Sequence, residues 1–163
     1  MKRLSALFLV MLLFVSLTSC ISNNTITYGN TTLTIPNNFD AAREGAKNSF
    51  YYKNCHIEII DITEYNTSTI NKFMVSYEKT NAKYNMQPFG KPKSSYSGEI
   101  EYLMQVFQYD PNPSISTSDE DKSKKFVAFV RKKRNLLLIT ITGVGVDFDT
   151  AVKSAEKMVK TAK

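Results

Sequence analysis

From Gly98 the sequence alternates with a period of two. Ile100, Tyr102, Met104 and Val106 fall on one face of an extended strand, and Glu99, Glu101, Leu103, Gln105 and Phe107 fall on the other. No helix aligns residues spaced by two, so this stretch lies in a sheet, and the apolar residues it presents oblige other elements to cover them. Two further β-rich runs, residues 125–132 and 136–142, stand on either side of Lys132-Lys133-Arg134-Asn135 and predict a hairpin with a basic turn.

The remaining elements follow from the same patterns. Residues 25–28 and 31–35 are β-prone runs around Gly29-Asn30, a pair suited to a tight hairpin turn, and Pro36 ends the second strand. Phe39 returns to the core. Residues 40–48 combine Ala with charge and predict a single helical turn weakened by Gly45. Residues 50–62 predict a strand interrupted at Asn54, with Ile57, Ile59 and Asp61 on one face and His56, Glu58, Ile60 and Ile62 on the other. Ile70, Phe73, Met74 and Tyr77 have helical spacing, with Asn66, Thr67 or Ser68 as the cap. Pro88, Gly90 and Pro92 predict that residues 84–97 are mostly loop, and Pro111 and Pro113 predict a mobile polar loop over 110–122. A last helix carries Phe148, Val152, Ala155 and Val159 on one stripe, capped by Asp147 or Asp149. The expected fold is α+β, an antiparallel β-sheet packed with two main helices, in a single domain over residues 25–163.

Residues 1–19 have the order of a secretory signal: Lys2 and Arg3, an apolar run over 6–15, then small polar residues. The run is too short to span a bilayer, which takes about 20 apolar residues. Leu17-Thr18-Ser19-Cys20 resembles the bacterial lipobox. The resemblance implies that Cys20 receives a diacylglyceryl group and becomes the mature N-terminus, with 20–24 as a short tether that keeps the domain near the membrane. Each buried CH₂ contributes about 0.8 kcal/mol, so two chains or more anchor a protein stably. Ile21 stands where an Asp often retains lipoproteins at the inner membrane, which implies an outer-membrane location if the host has one.

An acylated Cys20 leaves Cys55 as the only thiol, so no disulfide forms within the monomer and the fold stands on packing. The chain has 21 Lys and Arg against 15 Asp and Glu, an excess that falls to +4 once Lys2 and Arg3 are removed. That modest charge, outside the cytoplasm, does not indicate nucleic acid.

A second resemblance rests on the order of elements. Leu33-Thr34-Ile35-Pro36-Asn37-Asn38-Phe39, long strands, an internal helix, and Leu137-Leu138-Ile139-Thr140-Ile141-Thr142 leading to Asp147-Phe148-Asp149 and a terminal helix are similar to the PsbP and DcrB-like group. Where that group has a Gly-Trp pair, this chain has Asn38-Phe39 and no Trp. The resemblance implies an antiparallel sheet sandwiched by helices and an accessory role, and it carries over no site residue.

A search for chemistry returns few candidates. No G-x-S-x-G, H-E-x-x-H, Walker loop or C-x-x-C is present. Cys55 and His56 are neighbours, but on a strand they point to opposite faces and cannot hold one ion. Glu99 and Glu101 lie about 7 Å apart on one face, a glycosidase-like separation that equally describes a solvated strand. Asp110, Asn112, Ser114, Ser116, Ser118 and Asp121 have calcium-loop spacing, but Ile115 replaces the required Gly. Lys122, Lys124, Lys125, Arg131, Lys132, Lys133 and Arg134 fall within 13 residues. At a membrane they form a candidate anion-binding surface, each charge contributing about 1 kcal/mol; as a hairpin tip they simply solvate and protect the sheet. The expectation is a non-catalytic binding or accessory factor without cofactor or metal, whose partner is an envelope protein or an anionic polymer; the alternatives are a binder of anionic lipid or envelope polymer through residues 122–134 and an enzyme whose site the sequence does not identify.

Overall fold

The computed structural model describes residues 24–42, 47–65, 69–109 and 122–163. The alternating stretch forms strand β7 (Ile100–Tyr109), paired with β8 (Lys124–Lys132), which pairs in turn with β9 (Asn135–Gly143). With β3 (Asp40–Ala41), β4 (Ser49–Tyr52), β5 (Cys55–Asp61) and β6 (Met86–Ser97), they make an antiparallel seven-stranded sheet in the order β3-β4-β5-β9-β8-β7-β6. The hairpin of β1 (Thr25–Tyr28) and β2 (Thr31–Thr34) stands apart from it.

Each face of the sheet is covered by one helix. Phe126, Ala128 and Val130 of β8 point to the face under helix α2 (Gly145–Lys160), where Phe148, Ala151, Ala155 and Val159 pack with Ile57, Ile59, Met104 and Ile139. Leu33, Ile35 and Phe39 join this larger core. Val127 and Phe129 point the other way, to helix α1 (Ile70–Ala82), where Ile70 and Met74 pack with Leu103, Phe107 and Leu136. Tyr77 meets the Phe129 ring edge-on at 6.1 Å. A strand covered on both faces has no solvent side, which is why β8 is a nearly continuous apolar run. Every residue of both buried clusters lies between Leu33 and Val159. The fold is α+β, a sheet between two helices, as the residue patterns and the second resemblance imply.

The prolines of 84–97 were compatible with more than a loop. Residues 86–97 form β6, a twelve-residue edge strand, because an edge leaves one side of the ladder unpaired and so tolerates Pro88 and Pro92. A bulge between Phe89 and Lys93 absorbs the irregularity, with Gly90 at φ +74°. The side chain of Gln105, 3% exposed, fills it: Nε2 donates to the carbonyls of Phe89 at 3.1 Å, Gly90 at 3.4 Å and Val106 at 2.7 Å.

Other boundaries also shift. Residues 40–41 are strand β3 instead of a helical turn, held by pairing of Ala41 with Phe50. The interruption at Asn54 is a Lys53-Asn54 hairpin turn, with Lys53 at φ +49°. Thr69 is the N-cap of α1, its carbonyl accepting from the backbone N–H of Lys72 at 3.0 Å; the proposed caps at 66–68 lie outside the described residues. Helix α2 begins earlier than expected, with Val144 at the N-cap, so Asp147 sits in the first turn and bonds Lys53 at 2.7 Å. Residues 1–23, which include Cys20, and the calcium-like stretch 110–121 also lie outside the described residues.

Candidate functional site

The basic residues near the β8–β9 hairpin divide into two groups. Lys122, Lys124 and Lys125 stand at or before the start of β8, whereas Arg131, Lys132, Lys133 and Arg134 stand at its far end and turn. At about 3.3 Å per residue the length of β8 separates them by about 26 Å. The alternation of the strand then parts Lys124 from Lys125: the Lys124 ammonium lies 5.5 Å from the Phe89 ring, and that of Lys125 lies 5.2 Å from Tyr77 near the opposite helix. At the turn, Arg131 reaches Glu101 at 3.5 Å and Lys133 reaches Glu99 at 3.2 Å. Glu101 and Arg131 are direct cross-strand partners in the β7–β8 register. The Glu99 and Glu101 carboxylates therefore serve as counter-ions to the basic turn, a structural role that accounts for both.

Cys55 and His56 separate as strand geometry requires. Cys55 is fully buried. Burial pushes its thiol up from the ordinary value, the Asp147 carboxylate adds to this, and the Lys53 ammonium opposes it. A thiol held protonated is a poor nucleophile and a poor metal ligand. His56 lies on the other face, its Nε2 2.8 Å from Ser49 Oγ and its ring 5.1 Å from that of Tyr51. Among the described residues, no group of three His, Cys, Asp or Glu side chains could hold a metal ion.

The sequence patterns missed a groove between edge strand β6 and helix α2. One part, about 270 Å³, is lined by Gly90, Lys91, Met104 and Phe126 among others; the next, about 410 Å³, is lined by Lys124, Phe148, Val152 and Lys153 among others. Phe89, Lys93, Val106 and Glu156 line both parts. An ion pair from Lys93 to Glu156 ties β6 to α2, and Lys160 lies 3.8 Å from the same carboxylate. The groove exists because α2 lies over β9, β8 and β5 and leaves the β7–β6 side of that face partly open. Its one sequence signal was Phe89, a large apolar residue among turn formers.

Fold and site together define an α+β sandwich with paired surface carboxylates and an open apolar groove. The likeness to solved structures is at the level of fold. The yeast (Saccharomyces cerevisiae) Ran-binding protein Mog1p matches at 12% identity over 83% of this chain and 90% of its own, with a TM-score of 0.52. A putative regulator of unknown function from Pseudomonas aeruginosa matches at 10% identity over 84% of this chain and 93% of its own, with a TM-score of 0.48. LpqN of Mycobacterium tuberculosis, involved in cell envelope biogenesis, matches at 9% identity over 85% and 88%, with a TM-score of 0.48. No protein-family model matches the sequence, and no curated protein matches it.

Proposed function

We propose that this chain is a lipid-anchored bacterial lipoprotein acting outside the cytoplasm as a non-catalytic binding or accessory factor of the cell envelope. The observation that carries the reading is the run Leu17-Thr18-Ser19-Cys20, followed after only four residues by strand β1 at Thr25. A tether that short holds the domain against a membrane surface. The binding role is supported by the chemistry of the described residues: the Glu101 and Glu99 carboxylates are engaged by Arg131 and Lys133, and the Cys55 thiol is buried and held protonated. Among the described residues no helix is long and apolar enough to cross a membrane, so attachment of the domain would rest on the N-terminus.

Mass spectrometry of the N-terminal peptide, after expression of the full chain in a bacterial host, tests the anchor. The expected result is a peptide beginning at Cys20 with a diacylglyceryl mass, and loss of membrane association in Cys20→Ser. An unmodified Cys20, or cleavage elsewhere, would overturn the reading.

A further inference from the structure

We infer that the groove between β6 and α2 is a binding site for a long-chain carboxylate, with the Lys124 ammonium holding the carboxylate and the apolar strip of the walls holding the alkyl chain. This goes beyond the envelope reading and does not depend on lipidation of Cys20.

Lys124 is 9% exposed, an unusual state for a lysine. It extends from the face of β8 that carries Phe126 and lines the groove beside Phe89, Val106, Phe148 and Val152. Among the described residues no carboxylate forms an ion pair with it; its neighbour is the face of the Phe89 ring. A cation–aromatic contact is weaker than a charge-assisted hydrogen bond, so the ammonium keeps its capacity to bind an anion. A single anionic group entering the groove would supply the missing counter-charge through charge-assisted hydrogen bonds.

The walls select what the anion is attached to. Phe89, Val106, Phe148 and Val152 form an apolar strip with no hydrogen-bonding side chain, which an alkyl chain covers without leaving any polar group of its own unpaired. The larger part, about 410 Å³, is in the size range of small-ligand sites, about 300 Å³ upward, and shares four wall residues with the smaller. The charge of the lining agrees: Lys91, Lys93, Lys124 and Lys153 face Asp149 and Glu156, and Glu156 is already engaged by Lys93 and Lys160. The lining therefore carries a net positive charge, with Lys91 at the Gly90 end and Lys124 and Lys153 beside Asp149 at the other.

The test is a fluorescence titration of cis-parinarate into the soluble chain from Ile21 onward, which carries every residue of both cores, with folding of each variant checked by circular dichroism and a thermal melt. The expected result is saturable binding displaced by palmitate but not by hexadecanol or butyrate. Lys124→Met, which keeps the apolar stem, should bind at least about tenfold more weakly, the magnitude of a lost charge-assisted hydrogen bond. Glu156→Gln, which frees Lys93, should bind as well or more tightly. Absence of saturable binding, equal displacement by hexadecanol, or unchanged affinity in folded Lys124→Met would each overturn the proposal. Binding to anionic vesicles that Lys124→Met abolishes, without binding of free palmitate, would assign this face to a bilayer surface and overturn it as well.

Discussion

The sulfur of Cys55 occupies the space that any side chain at Gly143 would need: a β-carbon placed on Gly143 would lie 2.6 Å from Sγ and 3.5 Å from the Cys55 α-carbon. The two residues adjoin the Thr142–His56 pair that begins the β5–β9 ladder, so this close approach sets the separation of the two strands at that end. Gly143→Ala should destabilise the fold by about 1–3 kcal/mol, as over-packing of a filled site does. Cys55→Ala should cost about 1 kcal/mol alone but recover part of the loss in the Gly143→Ala background, because it removes the atom in the way. Urea denaturation of the four chains measures the coupling; strictly additive losses would mean that the sulfur is not what excludes the β-carbon.

The same thiol gives the fold an alkaline dependence. Burial raises the Cys55 pKa in the folded chain above its ordinary value of 9.0, while the unfolded chain keeps the ordinary value. Below 9.0 both states hold the proton and the contribution is constant. Above it the unfolded state ionises first, so folded stability falls as pH rises toward the raised value. The difference in stability between the native chain and Cys55→Ala should therefore shrink as the pH rises above 9.0 toward the raised value. A difference independent of pH would show that the thiol titrates alike in both states.

Gln105 is expected to control the edge of the sheet. Its amide bonds two carbonyls of the β6 bulge and one of its own strand, replacing ladder bonds that the bulge interrupts. Gln105→Leu preserves bulk but strands those carbonyls, at a cost of about 1–3 kcal/mol. Hydrogen exchange should accelerate first in residues 86–97, while β8 and β9 remain protected. Uniform acceleration across the sheet would mean that the amide supports the whole core instead of one edge.

Much of this architecture was legible in the residues, and the misses share a cause. The alternation through Ile100 to Phe107, the stripe of Phe148, Val152, Ala155 and Val159, and the Gly29-Asn30 turn each follow from local geometry. Residues 84–97 did not, because whether a proline breaks a strand depends on whether the strand has a neighbour on that side, a fact of sheet order. The groove was invisible for the same reason: Phe89 and Val152 meet only through the topology. The basic run 122–134 was misleading in another way. Thirteen residues of sequence are compact on paper, but an extended strand carries one end of the run far from the other.

The basic turn itself can be tested apart from the rest of that run. Lys133 sits at φ +54°, a conformation costly for a side chain with a β-carbon, and its ammonium lies 3.2 Å from the exposed Glu99 carboxylate. An exposed pair contributes about 0–1 kcal/mol, and glycine relieves the backbone by about 1 kcal/mol, so Lys133→Gly should leave stability level or slightly raised. A chain with Lys132, Lys133 and Arg134 all changed to Ser separates the two roles of the turn. If the charges only solvate the hairpin, the full-length variant should capture the same envelope protein by in-cell crosslinking as the native chain, with affinity insensitive to salt. If they form the working surface, capture should vanish or turn out to be of anionic polymer alone, and binding of the native chain should weaken steeply as salt rises, because exposed charges more than a Debye length apart, about 8 Å at physiological strength, are screened. The pairing of Arg131 with Glu101 and of Lys133 with Glu99 neutralises part of the turn and favours the first outcome.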